Sequence, residues 1–350
     1  MASFSGAASL SALSAFGGGD GFMLPADYGG SDTGNSERMI AYNQTTGNLL
    51  MVSRNGGNAV RIYNSSTGAL LSTLAAPAGG YASATLNINA IGITTDGRIA
   101  VTNLAVGGQT LSVYSWASES AASASVVTST YVVPAGLRLG DSMDGIGSGA
   151  NAQFVLGYQS PTAGTAGGDG FAIVPAVSLT AGAFSPVNVD PAAGSADSAF
   201  RLSATFIDAD TVLGDQNGVA RIADFSGTGA TVSPLTLSGA TERHLDVITI
   251  GGAQYLATLD SVTSKNTVRV YELNGTTATL LATSNLIGAG VTNTNGTGDI
   301  EWGQVTGDSA TLYALNTNNG LQAFTFTVPE PSAAGLALLG ACAFLRPRRR

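Results

Sequence analysis

The residues best suited to chemistry are five carboxylates that fall near the predicted starts of β-strands, namely Asp141, Asp144, Asp246, Asp299 and Glu301. In the fold predicted below, such positions from different units could converge at one end of a central channel. Carboxylates and backbone carbonyls are the hard oxygen ligands that Ca²⁺ prefers. We therefore consider a metal site, with calcium as its ion, formed by Asp144, Asp246, Asp299 and Glu301. The alternative is that these side chains cap turns by accepting hydrogen bonds from their own backbone.

Other candidates for catalysis are less specific. His244 is the only histidine, so a zinc site with several histidines is excluded, and a polar residue just before an inner strand is the simpler interpretation. Asp299 and Glu301 alternate on one face of a predicted strand, which suits acid–base work. The sequence has no G-x-S-x-G elbow, and the glycine-rich stretch 17–21 lacks the lysine of a phosphate loop. No catalytic set stands out.

The elements that must position these residues are predicted to be β-strands. The chain has 47 glycines and only 11% charged residues, too few for long amphipathic helices. Its first unit is the clearest. Short apolar runs alternate with Gly/Asn turns and predict a four-stranded meander, with strands at 38–42, 48–53, 59–64 and 69–74.

This pattern recurs along the chain and predicts six units of about 40 to 60 residues, which is typical of a β-propeller. The fold class is thus all-β, with six blades. The alternatives are a seventh blade within 118–197, or a pair of β-sandwiches. We expect residues 9–16 to supply the fourth strand of the last unit, because an open ring would leave a long unpaired edge. Stretches 117–127 and 161–170 are expected to be irregular.

Residues 329–350 form a tail of three parts in fixed order. The triplet Pro329, Glu330 and Pro331 stops the preceding strand, because proline lacks the amide hydrogen that a sheet needs. A 14-residue apolar run, 332–345, predicts a short hydrophobic helix, shorter than the roughly 20 residues of a full span. Basic residues follow and favour the cytoplasmic side of a membrane; they are Arg346, Arg348, Arg349 and Arg350.

This tail resembles the PEP-CTERM sorting signal of Gram-negative bacteria. The resemblance implies that an exosortase, a membrane protease-transferase, recognises Pro329, Glu330 and Pro331. It also implies transient contact with the inner membrane and then transfer to the cell surface or extracellular matrix. The division would be a propeller-like domain at 1–328 and a sorting or anchor segment at 329–350. The alternatives are a plain C-terminal anchor or a buried terminal helix.

Charge and cysteine content limit the partners. Up to residue 326 the chain carries 22 acidic and 10 basic residues, so its net charge is near −12. Such a body argues against nucleic acid and anionic membrane surfaces as partners. The single cysteine, Cys342, lies in the tail, so the body has no disulfide. Residues 1–16 do not look like an export signal, and we expect the true start to lie elsewhere.

These observations favour an exported, surface-sorted and non-enzymatic protein of the cell envelope or extracellular matrix. It would act as a structural or ligand-binding propeller, with matrix polysaccharide as a candidate partner. The alternative is a secreted propeller enzyme that acts on glycans or lactones, with a calcium ion in its channel.

Overall fold

The computed structural model describes residues 7–328 except 31–32, 123–124, 160–169, 177–186, 192–199, 217, 219, 227–228, 239–241, 262–266, 286–290, 292 and 294. This part of the chain is built from β-strands joined by turns and short 3₁₀ segments. None of its helices is long and apolar enough to cross a membrane. The all-β prediction is confirmed, whereas the short hydrophobic helix predicted at 332–345 lies outside the described residues.

Valine, isoleucine, leucine and tyrosine fill the strands, and glycine or asparagine occupies the turns between them. The strands follow in chain order: β1 (Ser9–Ala12), β2 (Phe22–Met23), β3 (Glu37–Asn43), β4 (Asn48–Ser53), β5 (Ala59–Asn64), β6 (Leu70–Thr73), β7 (Leu86–Ile93), β8 (Ile99–Val106), β9 (Thr110–Trp116), β10 (Ser125–Val132), β11 (Arg138–Ile146), β12 (Gln153–Gln159), β13 (Phe171–Pro175), β14 (Val187–Pro191), β15 (Ser203–Asp208), β16 (Thr211–Asp215), β17 (Ala220–Ser226), β18 (Gly229–Leu235), β19 (His244–Ile250), β20 (Ala253–Asp260), β21 (Thr267–Asn274), β22 (Thr277–Asn285), β23 (Gly298–Thr306), β24 (Ser309–Asn316) and β25 (Gly320–Thr327). The 3₁₀ segments are Phe16–Gly18, Pro25–Tyr28 and Gly149–Asn151.

Three sheets have simple antiparallel order. They are β3-β4-β5-β6, β19-β20-β21-β22 and β23-β24-β25-β1, with β2 also beside β25. In the last of these, Leu10 pairs with Phe326. The prediction that an N-terminal segment supplies the fourth strand of the last unit is therefore confirmed. This strand covers an edge of β25 that would otherwise be unpaired.

The strands β7 to β18 belong to one larger hydrogen-bonded sheet. Two links join its meanders. Arg138 and Leu139 at the start of β11 pair with β8, and Asp190 on β14 pairs in parallel with Gly229 on β18. Strand β10 begins at Ser125 and pairs with β9, so the expectation that 117–127 is irregular is wrong at its C-terminal end. The valine, threonine and tyrosine residues from 126 onward favour a strand and outweigh the low complexity before them.

The first strands of the meanders contact one another in a closed series. Strand β3 contacts β7, β7 contacts β11, β11 contacts β15, β15 contacts β19, β19 contacts β23, and β23 contacts β3 again. Glycines allow two of these strands to approach closely: a Cβ on Gly92 would lie 2.9 Å from the carbonyl carbon of Asp144, and one on Gly145 would lie 2.8 Å from that of Ile93. Residues on these six strands therefore face a shared central space.

Apolar side chains fill the spaces between neighbouring sheets. Leu50 and Val52 of β4 lie in one buried cluster with Ile88 and Ile91 of β7, and each of these side chains is at most 1% exposed. The indole of Trp116 is fully buried and donates to the carbonyl of Ala75 at 2.9 Å. This burial is the main source of stability, at roughly 25 cal/mol per Å² of apolar surface.

Candidate functional site

Four of the five predicted carboxylates meet at the centre. Asp144 lies on β11, Asp246 on β19, and Asp299 and Glu301 on β23. All four line a small central cavity of about 20 Å³. Asp144, Asp246 and Glu301 also line a larger neighbouring cavity of about 170 Å³. The side chains that the sequence singled out therefore lie around one space, although they come from three different meanders.

Two of these carboxylates accept hydrogen bonds from the backbone of the first strand of the following meander. Asp144 Oδ2 accepts a hydrogen bond from the Phe206 amide at 2.8 Å, which joins β11 to β15. Asp246 Oδ2 accepts one from the Trp302 amide at 2.6 Å, which joins β19 to β23. Hydrogen bonds to charged acceptors are stronger than neutral ones. These side chains therefore act as links between sheets.

The other two carboxylates join the end of the chain to its beginning. Asp299 Oδ2 accepts from the Ile40 amide at 3.1 Å, and Glu301 Oε1 accepts from the Tyr42 amide at 2.9 Å. Both bonds connect β23 to β3, across 259 positions of sequence. The second oxygen of Asp299 accepts from the Ile300 amide at 3.0 Å. Within the described residues, Glu301 Oε2 accepts no hydrogen bond, so it remains available to the cavity.

A threonine hydroxyl stands between two of the carboxylates. Thr205 Oγ1 lies 2.9 Å from Asp144 Oδ2 and 3.2 Å from Asp246 Oδ1. A hydroxyl has one hydrogen to donate, so it cannot donate to both oxygens at once. Both contacts are satisfied together when Asp246 is protonated, because its carboxyl then donates to Thr205, which donates to Asp144.

The electrostatics agree with a shared proton. Burial, followed by the charge of Asp144, raises the pKa of Asp246 to about 8. Burial is also the main cause that raises the pKa of Asp144, and it raises the pKa values of Asp299 and Glu301 well above their usual range. Like charges in one desolvated site cannot all be ionised without a large cost. Part of this cluster is therefore neutral at physiological pH.

The arrangement gives no support to the calcium prediction. Calcium takes six to eight oxygen ligands, with carboxylates bound directly. Here Asp144, Asp246 and Asp299 already accept hydrogen bonds at both carboxylate oxygens. Among the described residues, no three acidic, histidine or cysteine side chains are grouped closely enough to hold a metal ion. Calcium binding by these residues stays a prediction.

The larger cavity has a polar wall that suits hydroxyl groups. Beyond the carboxylates it is lined by Tyr42, Gln44, Thr94 and Thr95, with Trp302 at its side. The indole nitrogen of Trp302 donates to the carbonyl of Asp246 at 3.1 Å, which fixes the ring. These side chains offer both hydrogen-bond donors and acceptors, which hydroxyl groups of a ligand can use, and none of them is positively charged.

Asp141 does not join the other carboxylates. Its Oδ2 accepts from Nε of Arg138 at 2.5 Å and from Nε of Arg201 at 2.8 Å. Burial alone would raise the pKa of Asp141, but these two guanidinium groups hold it below its usual range. The sequence analysis grouped Asp141 with Asp144 because both lie near the predicted start of an inner strand. Between Leu139 and Met143 the pairing of β11 shifts register, so neighbours in sequence have different surroundings.

His244 is the first residue of β19, whereas the simpler interpretation placed it just before an inner strand. It is 3% exposed, and its Nε2 donates to the carbonyl of Gly296 at 3.0 Å. Burial lowers its pKa to about 4, so the ring is neutral at physiological pH. A neutral buried imidazole with a committed nitrogen is not placed to act as a general base.

Sequence reasoning missed Thr205 and a group of arginines near the starts of the first strands. A signal for the arginines was present, since Arg38, Arg138, Arg201 and Arg243 all fall within two residues of the start of a first strand. The predicted sorting residues lie outside the described part of the chain, and they are Pro329, Glu330, Pro331, Arg346, Arg348, Arg349 and Arg350.

Comparison with known proteins supports the fold and gives no function. No family model and no curated protein sequence matches the chain. The chain is similar in structure to a DUF4623 family protein from Bacteroides eggerthii, with a TM-score of 0.62, 15% identity, and coverage of 94% of this chain and 77% of that one. It is also similar to a protein of unknown function from Dyadobacter fermentans, with a TM-score of 0.51, 9% identity, and coverage of 84% and 95% respectively. At these identities the likeness concerns the fold alone.

Proposed function

We propose that this chain is a six-bladed β-propeller that is exported, sorted to the cell surface or extracellular matrix, and used there as a non-enzymatic ligand-binding protein. The closed series of contacts from β3 through β23 and back to β3 supports the propeller. The pairing of β1 with β25 supports closure between the two ends of the chain. The alternative of a seventh blade is not favoured, because six first strands complete the series.

The binding role rests on the way the central carboxylates are fixed. Backbone amides of Phe206 and Trp302 hold Asp144 and Asp246 in place, so the polar cavity beside them is rigid before any ligand arrives. A preorganised site loses less entropy on binding. At about 170 Å³ the cavity is smaller than the roughly 300–1,000 Å³ of common ligand sites. It would take one small neutral molecule, or the end of a neutral polysaccharide.

Sorting is supported by the order of the tail. A proline-flanked glutamate, an apolar run and terminal arginines follow directly after β25. In this proposal an exosortase-type enzyme recognises Pro329, Glu330 and Pro331, and the inner membrane is a transient partner.

Binding is tested by calorimetric titration of the full chain with neutral oligosaccharides of matrix type. We expect binding that Gln44→Ala weakens, because Gln44 lines the cavity. The control Gln254→Ala changes a residue on β20 that does not line either central cavity and should bind as the wild type does. Equal affinities for the two variants, or no binding by the wild type, would overturn the binding role.

Sorting is tested separately in a Gram-negative host that has an exosortase. The triple change Pro329→Ala, Glu330→Ala and Pro331→Ala should leave the protein in the membrane fraction, whereas the wild type reaches the surface. Mass spectrometry of the surface form should show a cut near residue 329. A wild type that stays in the cytosol would contradict this part of the proposal without affecting the binding test.

A second candidate is a glycan hydrolase or lyase that uses acid–base chemistry. It is favoured by Glu301, whose pKa is raised by burial and whose Oε2 is available to the cavity. A protonated carboxyl is a suitable general acid. Here Glu301→Gln should abolish turnover while it preserves binding. Turnover by the wild type in a screen of glycans and lactones would favour this enzyme over the non-enzymatic protein.

A further inference from the structure

Four arginines gather around two short polar side chains near the starts of the first strands. Arg38 Nε and Arg54 Nη1 both donate to Asn89 Oδ1, at 2.9 Å and 3.2 Å. Asn89 Nδ2 in turn donates to the carbonyl of Gly140 at 2.6 Å. Gly140 precedes Asp141, which pairs with Arg138 and Arg201. We call Arg38, Arg54, Arg138 and Arg201 the arginine cluster.

The described residues balance the charges of this cluster only in part, because two carboxylates, Asp141 and Glu37, act on its four guanidinium groups. Asp141 accepts from two of the four guanidinium groups, whereas the acceptors of the other two are neutral. Arg38 is only 7% exposed. Within the described residues, neither of its Nη atoms has a hydrogen-bond partner. A buried guanidinium whose donors lack acceptors is costly, and proteins rarely keep one without a reason.

The groups around Arg38 also carry more positive than negative charge. Burial, followed by the charge of Arg54, lowers the pKa of Arg38 to about 10, and Arg138 and Arg201 act in the same direction. Asp141 acts against them. An additional negative group at this position would relieve repulsion among all four arginines.

The cluster and the carboxylate cavity lie at different heights along the first strands. On β3, Arg38 precedes Tyr42, whose amide binds Glu301, by four residues. Arg201 precedes Thr205, which contacts Asp144 and Asp246, by the same number. Four residues of strand span roughly 13 Å. The arginine cluster is therefore separate from the larger cavity. The smaller cavity lies closer to it, because its lining includes Met39, Ser142 and Leu202.

We propose that the arginine cluster is a binding site for an oxyanion, a carboxylate, sulfate or phosphate group carried by the ligand, with Arg38 as its central contact. The forked guanidinium matches such groups with two parallel hydrogen bonds. An oxyanion there supplies the missing counter-charge. The strongly acidic body of the protein makes this group of arginines selective for anions that fit, because the long-range field repels anions in general. The inference does not depend on the function proposed for the carboxylate cavity.

The test uses the full chain at constant ionic strength, with sodium chloride exchanged for phosphate, sulfate or glucuronate, and with glucose as a neutral control. Thermal unfolding and calorimetric titration report binding. We expect at least one oxyanion to raise the melting temperature and to bind with a measurable Kd, whereas chloride and glucose have no effect. Arg38→Gln should weaken that Kd about tenfold or more. The control Arg98→Gln removes the same charge beyond the C-terminal end of β7 and should leave the Kd unchanged.

A second variant keeps the test decisive if Arg38→Gln does not fold. Arg38→Lys keeps the positive charge but loses the forked donor geometry, so it should weaken oxyanion binding severalfold. The proposal is overturned if the wild type responds no more to oxyanions than to chloride. It is also overturned if Arg38→Gln and Arg98→Gln weaken binding equally, or if Arg38→Lys binds oxyanions as tightly as the wild type does.

Discussion

Asp144 and Asp246, which are separated by 102 positions in the sequence, are connected through a single hydroxyl. Thr205 Oγ1 lies 2.9 Å from Asp144 Oδ2 and 3.2 Å from Asp246 Oδ1. One hydroxyl hydrogen cannot serve two carboxylates, so the pair must hold an additional proton for both contacts to be hydrogen bonds. The three side chains come from β11, β15 and β19 and link these strands at the centre.

This proton makes stability depend on pH. The pKa of Asp246 is raised to about 8, so the folded protein holds a proton that the unfolded chain has lost above about pH 4. The raised pKa values of Asp144, Asp299 and Glu301 change stability with pH in the same direction. We expect the free energy of unfolding to fall as pH rises from 5 to 8, by up to about 1.4 kcal/mol per pH unit for each such proton.

The contribution of Asp246 is isolated by Asp246→Asn, which cannot ionise. Denaturant unfolding at several pH values should give a shallower slope for this variant than for the wild type. Asp208→Asn, at the exposed end of β15, should run parallel to the wild type. If Asp246→Asn also ran parallel, the shared proton would be refuted.

Close approach of β7 and β11 gives a second prediction. A Cβ on Gly92 or on Gly145 would come within 3.0 Å of backbone of the facing strand. We expect Gly92→Ala and Gly145→Ala each to lower the free energy of unfolding by about 1–3 kcal/mol, measured by denaturant unfolding. Because both changes separate the same two strands, the double variant should lose less than the sum. Strict additivity would show that the two sites are independent.

The N-terminal strand gives a third prediction. Deletion of residues 1–14 removes β1 and the hydrogen bond from the Leu13 amide to the carbonyl of Ala323 at 2.9 Å. It exposes the edge of β25, so we expect a lower melting temperature and self-association in size-exclusion chromatography. Deletion of residues 1–7 leaves β1 in place and should have little effect. Equal behaviour of the two deletions would mean that β1 contributes nothing to stability.

Asp141 gives a fourth prediction. Asp141→Ala leaves Arg138 and Arg201 without this carboxylate, whose side chain is 2% exposed. Removal of one partner from a buried ion pair costs about 3–5 kcal/mol, so denaturant unfolding should show a loss of this size. Asp210→Ala, in an exposed turn, should change stability by less than about 0.5 kcal/mol. A loss near that of the control would mean that water screens the two arginines.

Much of the fold could be predicted from local patterns. The strands Asn48–Ser53 and Ala59–Asn64 begin and end at the predicted residues, because Gly/Asn turns bound each apolar run. Strand β10 was missed in part because the low-complexity residues before it hide its start. The carboxylates of the site were found because they fall near the predicted starts of inner strands, where residues from different units could converge.

The sequence by itself determined that the chain forms strands, where most of them begin and end, and which carboxylates lie on them. Only the tertiary structure decided that Asp299 reaches the Ile40 amide, 259 positions away, and that Asp141 pairs with arginines while Asp144 shares a proton. The physical reason is that strand formation depends on neighbours in sequence, whereas burial and charge pairing depend on which strands meet in space. The pKa of a buried carboxyl group and the charge that pairs with it depend on these tertiary contacts, which the local sequence pattern does not specify.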